Sequence, residues 1–277
     1  MAGHSAVRLL SRPTCESHFV TEANPVMLLA DQLRALTPDT PHSYAAPDFA
    51  RVPQSPDWFT PREVTQSMLA SEAAHTQVGP AVFGARLAGS LGYAAVGRLA
   101  VALAVAGRAY DTGPDSLMLR LDEEGLVAQI ALRSPRLAVL PDDSLAGGPH
   151  VTVVQDRAAL ASWAARGAYA TLSVLVEQVH AHTRYGTVAI WNQMADSVLS
   201  PSTKAPLLAG QSQEEGRAAG QLLLDALVAE GAPIRRRGTV RTVCTEAGRE
   251  VLDPVRGMCC LFYRQDEEKC GGCPLVK

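Results

Sequence analysis

Residues 238–277 read GTVRTVCTEAGREVLDPVRGMCCLFYRQDEEKCGGCPLVK. In the first half of this stretch, apolar and polar residues alternate on both sides of a Glu-Ala-Gly turn at 246–248. This pattern predicts a β-hairpin. The second half arranges four cysteines as C-C-x9-C-x2-C. They are Cys259, Cys260, Cys270 and Cys273. Because thiols stay reduced in the cytoplasm, such a cluster favours metal binding over disulfides.

The spacing of these cysteines bears on which metal they hold. Cys270 and Cys273 are separated by two glycines, which let the backbone turn both sulfurs onto one metal centre. Cys259 and Cys260 are adjacent, and neighbours in an extended strand point to opposite faces, so using both requires an irregular backbone. A vicinal pair suits a single tetrahedral zinc poorly, whereas a two-iron cluster needs four thiolates for two irons. An iron–sulfur cluster is therefore favoured, with structural zinc and free or redox-active thiols as the alternatives.

The tail resembles that of the FhuF-like ferric siderophore reductases. The likeness lies in the cysteine pair, the apolar Tyr- and Arg-containing stretch after it, and the proline after the last cysteine. Trp191, Asn192 and Ala195 are similar to a Trp/Asn-containing segment of that family. The spacer of nine residues, Leu261 to Lys269, is one shorter than the usual ten, a change that costs little in a loop. Over residues 1–180 the resemblance rests only on length and the order of elements.

The resemblance implies a cofactor, an activity and partners. It implies that Cys259, Cys260, Cys270 and Cys273 ligate a [2Fe-2S] cluster and are catalytic through it. The cluster would pass one electron to a ferric siderophore, a hydroxamate by family expectation, and Fe(II) would be released in the cytoplasm. The electron donor would be a ferredoxin, a flavoprotein or a small-molecule reductant. Trp191 and Asn192 would lie near the substrate. The alternative function is a non-enzymatic iron–sulfur redox or iron sensor, or a zinc-stabilised binding protein.

Charge is distributed unevenly along the chain. The formal net charge is −3, yet residues 231–277 carry nine cations against six anions, so the first 230 residues are acidic. Positive charge beside a cluster stabilises its reduced form. We expect Arg241 or Arg256 to lie near the cluster and the substrate. The run Arg235 to Arg237 is more simply a solvated stretch after a helix.

The rest of the chain predicts an α+β fold, with mixed helices around a small, mostly antiparallel sheet. Helices are expected at 25–37, 60–77, 87–107 (divided at Gly89 and Gly92), 156–165, 168–184 and 214–230. Thr60 and Glu63 have the spacing of a capping box at the start of the second of these helices. Strands are expected in a hairpin over 116–132, at 136–140, at 150–154 and at 187–191. We predict a siderophore-facing body over 1–237 and a cluster-binding subdomain over 238–277.

Composition narrows the class of protein further. At 277 residues, 47% apolar and 19% charged, the chain can bury a sizeable core. Its acidic balance and the lack of a basic DNA-reading helix argue against a nucleic-acid partner. The apolar stretch 87–107 is rich in Ala and Gly and contains Arg98, which indicates a buried helix rather than stable membrane insertion. We expect a cytoplasmic protein.

Several remaining residues are predicted to be structural. His180 and His182 are two apart and cannot form an i, i+4 metal pair on a helix, so we expect them at the surface. Cys244 is expected to be a buried apolar residue. Cys15 has no partner in the sequence, and His75 is expected near a helix end.

Overall fold

The computed structural model describes residues 25–36, 49–50, 57–73, 79–123, 125–265, 268–270 and 272–276. Cys15 and His75 lie outside these residues. The helices are α1 (Pro25–Leu36), α2 (Pro61–Ala73), α3 (Pro80–Gly92), α4 (Arg98–Val101), α5 (Arg157–Thr183), α6 (Thr187–Leu208) and α7 (Gln213–Ala229), with a 3₁₀ turn at Phe262–Gln265.

Nine short strands complete the described fold. They are β1 (Phe49–Ala50), β2 (Trp58–Phe59), β3 (Ala109–Tyr110), β4 (Leu117–Leu121), β5 (Val127–Leu132), β6 (Leu137–Val139), β7 (Val151–Val153), β8 (Thr239–Cys244) and β9 (Glu250–Val255). They form three sheets with the orders β1-β5-β4-β2, β3-β6-β7 and β8-β9. The pairs β1–β5 and β6–β7 are parallel and the other four are antiparallel. The α+β class is confirmed, with the strands divided over three sheets rather than one.

Two local signals in the first half of the sequence act as predicted. The Thr60 amide donates to the Glu63 carboxylate at 2.8 Å, and the Glu63 amide donates back to Thr60 Oγ1 at 3.4 Å, a capping box that starts α2. The Thr60 hydroxyl also donates to the Glu63 carboxylate, at 2.8 Å, and together with the Thr60 amide it lowers the pKa of Glu63. The hairpin predicted over 116–132 is the antiparallel pair β4–β5.

The Ala-rich segment is one continuous helix rather than a divided pair. α3 runs through a π-helical turn at Tyr93–Gly97, then α4, then a second π turn at Ala102–Ala106. Gly92 lies within the continuous helix and does not break it. Its missing side chain instead lets α6 approach closely, since a Cβ there would lie 2.9 Å from Met194 Cα. By length and composition, Pro80–Ala106 is the one candidate membrane span among the described residues. The most apolar part of it is 78% buried inside the protein, as in a core helix.

The two helices expected between 156 and 184 are a single helix, α5. Asp156 caps it by accepting from the Ala159 amide at 2.8 Å. Gly167, which lies between the two expected helices, is inside α5. A Cβ at Gly167 would come within 3.0 Å of the Gly113 amide nitrogen, so this glycine allows a loop to pack closely on the helix.

The strand predicted at 187–191 is wrong, because these residues form the first turns of α6. Their β-branched and aromatic side chains favour a strand locally, but burial decides the outcome. Ile190 is 0% exposed and Trp191 5% exposed, and Trp191 stacks on Tyr169 of α5 with ring centroids 5.7 Å apart. α6 therefore lies in the core, where it packs against α3, α5 and α7.

The C-terminal hairpin β8–β9 forms as predicted, in the register Thr239–Val255 to Cys244–Glu250. It is held on the helical core by Gln213 of α7, whose amide group donates to the Leu252 carbonyl and accepts from the Leu252 amide, both at 2.9 Å. Cys244 is exposed, so its predicted burial is wrong: β8 has mostly exposed residues, and this end of it faces solvent. The division of the chain at residue 237 stays a prediction.

Candidate functional site

The four tail cysteines follow β9 and occupy two environments. Cys260 and Cys273 are buried, with 5% and 3% exposure, while Cys259 and Cys270 are half-buried. The tail folds back on the hairpin because the Arg256 amide donates to the Gly272 carbonyl at 2.9 Å. The backbone after the vicinal pair is irregular, as its use as ligands requires: Leu261 has a φ of 63°, and its amide donates to Cys259 Sγ at 3.4 Å.

The thiols from the two ends of the tail meet. The Cys260 thiol lies within hydrogen-bonding reach of Cys270, and Cys273 is close enough to interact electrostatically with it. Burial raises the pKa of Cys270, the neighbouring thiols raise it further, and Arg256 opposes them. Burial also raises the pKa of Tyr185, with smaller contributions from the charges of Cys259 and Cys260, so this phenol borders the vicinal pair.

This arrangement fits a cofactor that takes two thiols per iron. In the described part of the chain, no three His, Cys, Asp or Glu side chains converge as a ready site for a single metal ion. Cys260 and Cys273 both lie close enough to Cys270 to interact with it electrostatically, and Cys259 directly precedes Cys260. Soft thiolates in such a place are the donors that iron–sulfur clusters use.

A cleft of about 370 Å³ opens beside Cys270. Its walls come from three parts of the chain: the end of α3 with the first π turn, α6, and the hairpin with the tail. The lining includes Tyr93, Asp196, Lys204, Arg256, Cys270 and Gly272. The cleft therefore gives a molecule in solution access to one of the two half-buried cysteines, beside two cations and a carboxylate.

Residues 256–275 match the model of the FhuF 2Fe-2S C-terminal domain. This segment is an FhuF-type 2Fe-2S domain. The resemblance of the tail to the FhuF-like family is confirmed for these residues, and so is a [2Fe-2S] cluster as the cofactor. A comparison of the chain with curated proteins finds no match. The match covers all four cysteines, which makes them the candidate ligands.

Two polar residues of α6 bind the backbone on either side of the hairpin that leads to the FhuF segment. Asn192 Oδ1 accepts from the amides of Arg235 and Arg236, both at 2.9 Å. One helical turn later, Asp196 Oδ1 accepts from the Gly257 amide at 2.8 Å and Asp196 Oδ2 from the Met258 amide at 3.0 Å. Both side chains are buried. α6 thus fixes the segment before β8 and the segment just before the first ligand pair.

The electrostatics of Asp196 are set mainly by its burial. Desolvation raises the pKa of Asp196 to about 6, although the amides of Gly257 and Met258 and the charge of Arg256 all favour the carboxylate. Burial without a directly bonded cation is costly for a carboxylate. Above about pH 6 the FhuF segment is therefore held by a buried negative charge.

The residues predicted to lie near the substrate are found in different places. Arg256 lines the cleft and acts electrostatically on both Cys270 and Asp196. Arg241 lies in the middle of β8 and forms an ion pair with Asp253 at 2.8 Å. Trp191 and Asn192 are buried in α6. Asn192 binds the backbone of residues 235–236, Trp191 packs on Tyr169, and neither lines the cleft.

The other predictions for individual residues divide similarly. His180 and His182 are exposed near the end of α5, as expected. Sequence reasoning missed Asp196 and Lys204, which both lie in the cleft. The one signal for Asp196 was its i, i+4 spacing from Asn192, and that spacing has meaning only once the segment is known to be helical.

Proposed function

We propose that this protein is a cytoplasmic ferric siderophore reductase that delivers one electron to a siderophore-bound Fe(III) ion and so releases Fe(II). The observation that supports the proposal is an FhuF-type 2Fe-2S segment that borders an open cleft at Cys270. Siderophores hold Fe(III) with hard oxygen donors, which bind Fe(II) less tightly, so one-electron reduction loosens the complex. When bound, a [2Fe-2S] cluster supplies a one-electron carrier.

The chain's own residues would prepare this transfer in two ways. Cys259 and Cys270 are half-buried, so a cluster held by them would be reachable from solvent, and the buried Cys260 and Cys273 would hold it on the protein side. Lys204 and Arg256 offer hydrogen-bond donors to the oxygen atoms of a ferric chelate in the cleft. A hydroxamate is the substrate we propose, and a ferredoxin, a flavoprotein or a small-molecule reductant the electron donor.

The activity can be tested directly with purified, cluster-loaded protein. The protein is reduced under anaerobic conditions and mixed with a ferric trihydroxamate in the presence of a chromogenic Fe(II) chelator. We expect the visible spectrum of the oxidised cluster to return and one Fe(II) to appear per electron. The Ga(III) complex of the same hydroxamate is the matched control, because it has the same charge and nearly the same size but cannot be reduced.

The outcome separates the candidate functions. Reoxidation without Fe(II) release, or at the rate seen with Ga(III), would contradict a reductase and favour a redox or iron sensor. A colourless protein that carries zinc would contradict both the reductase and the iron–sulfur sensor.

The cleft has its own test. Ser200 lines it, and Ser200→Trp would fill much of its volume. We expect the KM for the ferric hydroxamate to rise several-fold while the midpoint potential stays unchanged. Leu208→Trp is the matched control, since Leu208 is exposed at the end of the same helix and is not among the residues that line the cleft. Equal KM values for the two variants would place the substrate elsewhere.

A further inference from the structure

Asp196 binds the chain immediately before the vicinal cysteines. Its two carboxylate oxygens accept from the consecutive amides of Gly257 and Met258. Met258 is followed directly by Cys259 and Cys260. A displacement of these two amides would therefore move the ligand pair.

Close backbone contacts restrict the conformation of the chain at this point. A Cβ at Gly257 would lie 2.7 Å from the carbonyl carbon of Arg237, so the outgoing chain runs against the incoming one. A Cβ at Gly238 would meet the Val255 carbonyl oxygen at 2.7 Å and Asp196 Oδ1 at 3.3 Å. The carboxylate thus lies where the two ends of the hairpin cross.

The position of Asp196 also lets its charge act electrostatically on a cluster bound by the tail cysteines. It shares the cleft with Cys270, and Arg256 interacts electrostatically with both. A buried charge acts over longer distances than an exposed one, because less solvent screens it. A negative charge near a cluster opposes the addition of an electron, whereas the positive charge of Arg256 favours it.

We propose that Asp196 is a positioning residue for the cluster, holding the Cys259–Cys260 pair in place through the backbone and lowering the midpoint potential with its buried charge. The inference rests on the proposed [2Fe-2S] ligand set but not on the identity of the substrate. Asn192 has a related but separate task, because it binds the backbone before β8 and carries no charge.

The test uses the cluster-loaded full chain and the variant Asp196→Asn. The amide of asparagine keeps one acceptor oxygen and loses the charge. We expect faster hydrogen–deuterium exchange, measured by mass spectrometry, in the peptide that contains Gly257 and Met258. We also expect a higher midpoint potential, with the reduced-to-oxidised ratio at a fixed potential rising about tenfold, or about 59 mV for a one-electron couple.

The control is Asp225→Asn. Asp225 lies on α7 and forms an exposed ion pair with Arg237, so this variant removes an equal negative charge at the surface. We expect it to leave both readouts unchanged. A potential in Asp196→Asn equal to that of the wild type would overturn the electrostatic part of the proposal. Unchanged exchange at residues 257–258 would overturn the positioning part.

Two further outcomes are informative. If Asp196→Asn folds by circular dichroism but does not retain the cluster while Asp225→Asn does, the positioning role is supported. If Asp196→Asn does not fold, the wild type decides: amides at 257–258 that exchange as fast as the exposed turn at 246–248 would overturn the proposal. Neither readout depends on siderophore reduction, so failure of the reductase function would be seen separately.

Discussion

The buried carboxylate of Asp196 makes the stability of the protein depend on pH in an unusual direction. Its pKa is raised from 3.8 to about 6 in the folded protein. Between these two values the folded state binds more protons than the unfolded state, so the free energy of unfolding falls as pH rises. The contribution is fully present below about pH 4 and is lost as the pH rises through 6.

The size of the effect follows from the shift. A difference of about two pKa units corresponds to about 3 kcal/mol of unfolding free energy. Most carboxylates in ion pairs have the opposite effect, so the wild-type profile alone does not isolate Asp196. The difference between the wild type and Asp196→Asn does, because the other groups contribute equally to both.

The assay is urea denaturation of the full-length apoprotein at several pH values from 4 to 8, for the wild type and for Asp196→Asn. We expect the wild-type free energy of unfolding, minus that of the variant, to fall by about 3 kcal/mol across this range. Asp225→Asn is the control, because it removes a carboxylate that is exposed in an ion pair with Arg237, and its difference from the wild type should not show this fall. Parallel profiles for the wild type and Asp196→Asn would refute the argument that burial governs this carboxylate.

Three further perturbations test the tail and its surroundings. Cys273→Ser should abolish the visible absorption of the cluster, whereas Cys244→Ser should retain it, because only the first cysteine lies in the FhuF segment. Arg256→Gln should lower the midpoint potential, by on the order of 1 kcal/mol in redox free energy. Arg241→Gln should lower it much less, because the charge of Arg241 is paired with Asp253. Redox titration measures both changes. Gly257→Ala should lower the free energy of unfolding by about 2 kcal/mol in urea denaturation, because its Cβ would overlap backbone atoms.

Each of these has an outcome that contradicts it. A cluster retained at full occupancy in Cys273→Ser would remove that residue from the ligand set. Equal potentials in the two arginine variants would show that the cleft position of Arg256 has no electrostatic consequence. For Gly257→Ala the control is Gly79→Ala, where a Cβ meets nothing within 4 Å; equal losses in the two would refute the close crossing of the chain.

The parts of the fold that the sequence predicts are those with short-range signals. The capping box at Thr60, the two hairpins and the cysteine array each occupy fewer than twenty consecutive residues, and each has a local physical cause. The strand predicted at Thr187 to Trp191 failed for the opposite reason. Their local propensity favours a strand, but the segment is helical, with Ile190 and Trp191 buried and Trp191 stacked on Tyr169 of α5.

The site shows the same division. The cysteines are identified by their spacing, but Asp196 binds backbone amides 61 and 62 residues further along the chain. A backbone N–H is present at every residue except proline, so the residue types of the sequence do not indicate which amides Asp196 binds. The expected burial of Cys244 was based on residue type alone, and a hairpin with one solvent-facing side gave it a different environment.

The use of main-chain partners by Asn192 and Asp196 has a consequence for how this protein can change over generations. The four amides they bind belong to Arg235, Arg236, Gly257 and Met258. Any residue except proline supplies the same N–H group, although a Cβ at Gly257 would overlap the backbone of Arg237. Mutational drift can therefore alter the charge and shape of the surface around the tail while the attachment to α6 persists.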